Sequence, residues 1–183
     1  MNIPRLIMLL ALAFLGVFVE ATWDLPRRVL GAQLDVLPAL VVYAAVSTDL
    51  ASLALLTAAA GLWLDSVSAS PLGSSILPLF VTGLVLQRRR ELLLREMTYA
   101  QIVLGLGATA AVTLLKLAVL LTLGEHPILG WESLWQLAVV VAGGAVLTPV
   151  VFASMDGLTR AFAYAPERGP AFRPDREMKR GRT

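Results

Sequence analysis

The sequence predicts an all-α membrane protein: a polytopic bundle of six transmembrane helices, with five as the alternative count, and both termini in the cytoplasm. Three observations lead there. Of the 183 residues, 57% are hydrophobic and only 15% charged, whereas soluble domains use about 45–50% apolar and about 25% charged residues. The uncharged stretches are long, running over 6–19, 36–48, 50–64, 66–87, 97–115 and on past Lys116 to 124, and 133–155. The basic residues gather in two places, from Arg88 to Arg95 and from Arg160 to Arg182, and such clusters stay on the cytoplasmic side. Each crossing needs about 20 mostly apolar residues to pass about 30 Å of hydrocarbon. The spans therefore use up residues 1–164 as a helical bundle and leave 165–183 as a disordered, basic cytoplasmic tail.

The first apolar run, 6–19, follows Arg5 and continues through Ala21, Thr22 and Trp23 without a small-x-small cleavage pattern. It reads as a retained span and not as a signal peptide. The second and third runs would each be about 20 Å long, less than the hydrocarbon thickness. Joined into one helix over 36–64 they would reach about 43 Å and need a steep tilt. Ser47, Thr48 and Asp49 are also suitable N-cap residues for a helix restarting at Leu50. Both points favour six spans. Charge placement alone does not choose. Six spans leave only Arg27 and Arg28 outside, and five misplace only Arg5.

The fourth span is expected to begin at Ser70-Pro71-Leu72-Gly73, with Ser70 as cap and Pro71 in the first helical position, where its missing N–H costs nothing. Pro78 should then kink it, and Pro149 should kink the sixth. In the last two spans Gly105, Gly107, Ala108 and Ala111 face the prospect of meeting Gly143, Gly144 and Ala145, small residues that let helices approach closely inside the bundle. Beyond residue 165, Pro166, Gly169, Pro170 and Pro174 interrupt a polar stretch that has too little apolar surface to fold.

The inventory argues against chemistry. There is no Cys and one His, which excludes disulfides, thiolate nucleophiles and multi-His metal sites. No Gly-x-Ser-x-Gly, HExxH or Walker-type loop occurs, and His126 reads as a solvated loop residue. The chain is expected to be no enzyme, to hold no cofactor or metal, and to have the lipid bilayer and proteins, not nucleic acid, as its surroundings.

Three features carry two readings each. Lys116 lies among apolar neighbours, where a charge costs about 2.5–3.5 kcal/mol or more. It is either a buried partner for Asp65 or a substrate counter-ion, or it snorkels toward the outer headgroups. Asp65 ends the third span, where an acid opposes the helix dipole. It either accepts from hydroxyls and free N–H groups of the Ser-rich turn that follows, or sits in the headgroup layer. The segment with Arg88, Arg89, Arg90 and Arg95 pairs Glu91 with Arg95 at i,i+4 and presents Leu92, Leu93 and Leu94. It is either a docking site for a cytoplasmic partner or anionic lipid, or a stop that fixes topology. The tail residues Arg168, Arg173, Arg176, Lys179, Arg180 and Arg182 have the same two readings.

Asp35-Val36-Leu37-Pro38-Ala39-Leu40-Val41-Val42-Tyr43, followed by Gly61-Leu62-Trp63-Leu64-Asp65 and Ser70-Pro71-Leu72-Gly73, resembles MreD, the rod shape-determining membrane subunit of bacteria. Leu147-Thr148-Pro149-Val150-Val151-Phe152 with Asp156 and Leu158 adds a weaker echo. Members of the family often place Pro directly before the Asp that opens the second span, whereas here Asp35 precedes Pro38. The resemblance implies a non-enzymatic scaffold or regulatory subunit of the cell-elongation complex in the bacterial inner membrane. Its implied partners are an MreC-like bitopic protein, an MreB-like cytoskeletal protein, and the polymerase and transpeptidase of lateral peptidoglycan synthesis. The alternative is the substrate-binding membrane component of an energy-coupling vitamin importer, in which Asp65 and Lys116 would touch ligand.

Overall fold

The computed structural model describes residues 3–22, 28, 31–68, 70–89, 98–124 and 130–163. Among these, six helices and no strands are found: α1 Ile3–Thr22, α2 Leu37–Ser47, α3 Leu50–Val67, α4 Ile76–Arg88, α5 Thr98–Thr122 and α6 Trp131–Ala163. Helices α1, α3, α5 and α6 are long and apolar enough to cross a membrane, while α2 and α4 are shorter. The 165–183 tail, most of the Arg88 to Arg95 segment including Arg90 and Arg95, and His126 lie outside the described residues.

Side-chain contacts fix the directions. Arg5 at the start of α1 bonds the Ser47 carbonyl at the end of α2, so these two are antiparallel. The Phe14 and Trp63 rings meet edge-to-face at 5.4 Å, which makes α1 and α3 parallel. Tyr43 meets Phe152 in the same way at 5.0 Å while Leu34 lies on Gly143, so α2 and α6 are parallel. The chain thus runs up and down, with Arg5, Asp49, Arg88 and Arg160 at one end and Asp35, Asp65, Thr122 and Trp131 at the other.

Helix α2 is the centre. It packs on each of the other five, and these stand round it in the order α1, α3, α4, α5, α6. Its sequence, Leu-Pro-Ala-Leu-Val-Val-Tyr-Ala-Ala-Val-Ser, has no polar face, and every residue from Leu37 to Val46 is buried. An all-round apolar helix belongs in an interior. Leu9, Ala13 and Val17 of α1, Leu53 and Leu56 of α3, Leu79 of α4, Val112 of α5 and Met155 of α6 complete the core around it.

Glycines set the closest approaches. A Cβ on Gly83 would stand 2.9 Å from Val41 Cγ1, and one on Gly105 would stand 2.6 Å from the Gly144 carbonyl oxygen. Gly144 in turn lies against the Thr109 side chain, so the α5–α6 contact is small-on-small along Gly105, Ala108, Thr109, Gly144 and Thr148. Gly107 faces away, with open space beside it.

Three sequence expectations change. The fourth helix starts at Ile76 and not at Pro71, because residues 72–75 form a turn in which Gly73 takes φ +91°. Pro78 consequently falls in the first turn of α4, where a missing N–H has no intrahelical partner to lose, so no kink follows. The break between α2 and α3 occurs at Thr48–Asp49 as expected, but the capping differs. Ser47 and Thr48 hydroxyls bond back to the Tyr43 and Ala44 carbonyls at 2.6 and 2.7 Å, and the Asp49 carboxylate takes the Ser52 hydroxyl at 2.7 Å. Pro149 lies within an uninterrupted α6.

Candidate functional site

The turn between α3 and α4 is organised by one side chain. Helix α3 stops where Ser68 becomes extended, its N–H still bonded to the Leu64 carbonyl at 2.9 Å. The Pro71 carbonyl then accepts the Ser74 N–H at 3.1 Å and the Gly73 carbonyl accepts the Ile76 N–H at 3.3 Å. Gly61 lets the chain return closely: a Cβ there would stand 3.0 Å from the Ile76 Cα. Into this turn points Asp65, only 2% exposed. Its Oδ2 accepts the Gly73 N–H at 2.8 Å and the Ser75 N–H at 3.1 Å, and its Oδ1 faces the Ser74 hydroxyl at 3.4 Å. An acid at the end of α3 opposes that helix's dipole, but the same carboxylate stands at the start of α4, whose dipole favours it. Ser70 does not cap a helix; its hydroxyl lies 3.0 Å from that of Ser68, and Pro71 is exposed.

A second polar group lies at the same end. Glu20 of α1, Asp35 before α2 and Lys116 of α5 interact electrostatically. The Asp35 Oδ1 also accepts the Leu37 N–H at 2.8 Å and so caps α2, and the Gln33 amide donates to the Glu20 carbonyl at 3.3 Å. Glu20 Oε2 is buried with no hydrogen-bond partner among the described residues. Lys116 thus lies within electrostatic reach of these two carboxylates; Asp65, considered as its partner from the sequence, is engaged by the turn. Glu20 and Asp35 were not singled out as charged groups by sequence reasoning. The signal was present in topology: once the helices alternate, the end of the first run, the start of the second and the far part of the fifth must lie at one level.

At the opposite end Arg5 Nη1 donates to the Ser47 carbonyl at 3.2 Å and Gln87 Nε2 donates to the Thr48 carbonyl at 3.1 Å. These carbonyls are among those that a helix end leaves free. Arg88 and Arg89 are exposed at the end of α4 and Arg160 at the end of α6. Asp49, also exposed, has its carboxyl held below the usual carboxylate range, first by the Ser52 hydroxyl. Among the described residues no three metal-ligating side chains stand together. No protein-family model, curated protein or solved structure matches this chain.

Proposed function

We propose that this chain is a MreD-like scaffold or regulatory subunit, non-enzymatic and embedded in a bacterial inner membrane, that supports rod shape and lateral peptidoglycan synthesis. In this reading the chain crosses the bilayer six times, with α2 and α4 helical over only part of the depth, and the end carrying Arg5, Arg88, Arg89 and Arg160 is cytoplasmic, following the positive-inside rule. Both termini then lie in the cytoplasm.

The observation that carries the reading is the Asp65 turn. Gly61, Asp65 and Gly73, the residues on which the resemblance chiefly rests, act as one physical unit: Gly61 admits the head of α4, and Asp65 closes on Gly73 and Ser75. A motif with that internal logic supports aligning the chain to the family over this stretch. A bundle whose polar groups serve its own turns and caps also suits a protein that works by holding partners.

The test is mass spectrometry of what co-purifies with the tagged protein from native membranes in mild detergent. Recovery of an MreC-like bitopic protein, an MreB-like cytoskeletal protein and wall-synthesis enzymes is expected. Recovery of an ATPase pair or a retained vitamin overturns the reading in favour of an importer.

A further inference from the structure

Helices α2 and α4 begin well below the level that α1, α3 and α6 reach. Val36 lies on Gly16, about 9 Å short of the last residue of α1 at 1.5 Å rise per residue. Leu34 lies on Gly143, about 18 Å along α6 from Trp131. Ile76, at the head of α4, lies on Gly61, about 9 Å short of the end of α3. Trp131 and Trp135 of α6 are 85% and 61% exposed, as aromatic side chains are at a membrane–water boundary. Residues 31–35 are therefore irregular backbone lowered into the bundle, with Gly31 and Gln33 exposed and Asp35 half-buried.

Irregular backbone does not stand against hydrocarbon; at that depth it needs protein or water around it. The surroundings here are hydrophilic. Glu20 borders the segment from α1, Lys116 acts on it from α5, and Gln33 lies above Asp35. The Cα–Cβ bond of Lys116 tilts toward the N-terminal end of α5, and its charge lies within electrostatic reach of both carboxylates.

We propose that this end of the protein is a water-filled recess, sunk below the outer membrane surface, with Asp35 at its floor and Glu20 and Lys116 on its walls. It admits water and hydrophilic solutes from the outer compartment and excludes acyl chains. The inference rests on the membrane-spanning orientation proposed above.

The chain has no Cys, so single-cysteine variants report one position each in sealed vesicles of either orientation, probed with a charged, membrane-impermeant thiol reagent. Gln33→Cys is expected to react from the outer face only. Val19→Cys, next to Glu20, whose carbonyl the Gln33 amide bonds, and 41% exposed on the outside of α1, faces lipid at the same depth and is expected to react at least tenfold more slowly. Thr98→Cys, exposed at the far end, is expected to react from the inner face only. If Gln33→Cys reacts less than tenfold faster than Val19→Cys, the recess is refuted, whether both are slow or both fast. If the sidedness of Gln33→Cys and Thr98→Cys is inverted while the tenfold difference holds, the orientation is wrong and the recess stands.

Discussion

Replacing Asp65 tests the account of the α3–α4 turn most directly. The Asp65→Ala change removes the acceptor for the Gly73 and Ser75 N–H groups, and a buried donor left without a partner costs about 1–3 kcal/mol. Loss of a negative charge at the start of α4 adds about 0.3–1 kcal/mol. Relief of the buried carboxylate's desolvation offsets part of this, so the net destabilisation should be about 2–4 kcal/mol. Asp65→Asn can set its one carbonyl oxygen where Oδ2 accepts both N–H groups and turn its amide to the Ser74 hydroxyl, which can accept, so it loses chiefly the charge and should cost about 0.3–1 kcal/mol. Gly73→Ala alone should cost about 1–2 kcal/mol, since its φ of +91° penalises a side chain. Once Asp65 is gone the turn can relax, so the double variant should lose less than the sum, with a coupling of at least about 0.5 kcal/mol. Reversible unfolding in mixed micelles or bicelles, read by tryptophan fluorescence, measures each value. An Asp65→Ala variant within about 0.5 kcal/mol of the native protein, or an Asn variant as unstable as Ala, would refute the reasoning.

Other sites give further checks. Gly105→Leu should separate α5 from α6 and destabilise by more than about 2 kcal/mol through overpacking, whereas Gly107→Leu, with open space around it, should stay within about 0.5 kcal/mol; the same unfolding assay compares them. Arg5→Ala and Gln87→Ala each free a carbonyl at the α2–α3 break and should cost about 0.5–1.5 kcal/mol, with faster amide exchange at Asp49 and Leu50. Ser52→Ala should raise the Asp49 titration toward that of a free carboxyl, visible by carbon NMR. The sign of its linkage follows from the lowered folded value. The Ser52–Asp49 bond stabilises the fold above the unfolded pKa and loses that effect as pH falls through the folded one.

The sequence disclosed the helices by their apolar runs and most of their breaks by local chemistry. The α2–α3 interruption was legible because Ser47, Thr48 and Asp49 cannot all sit comfortably inside one long apolar helix. The start of α4 was not, since Ser70-Pro71 is a good local helix opening and the competing arrangement depends on Asp65, which reaches along the chain to hold Gly73 and Ser75. Local capping lost to a tertiary bond. Lys116 was conspicuous from its apolar neighbours, but Glu20 and Asp35, whose carboxylates its charge reaches, lie far away in sequence and come within reach only through the bundle's topology. The central place of α2 was likewise hidden: an apolar run of that length reads the same whether its surroundings are lipid or five other helices.

That central place has a consequence for biogenesis. The second helix leaves the ribosome early, yet most of its walls are supplied by segments made later, and the last of them, α6, is the final helix among the described residues. Until then an 11-residue helix must wait in the membrane without the neighbours that cover it. Assembly therefore closes around α2 from both directions of the chain, and a nascent protein cut short before α6 leaves one side of its own centre uncovered.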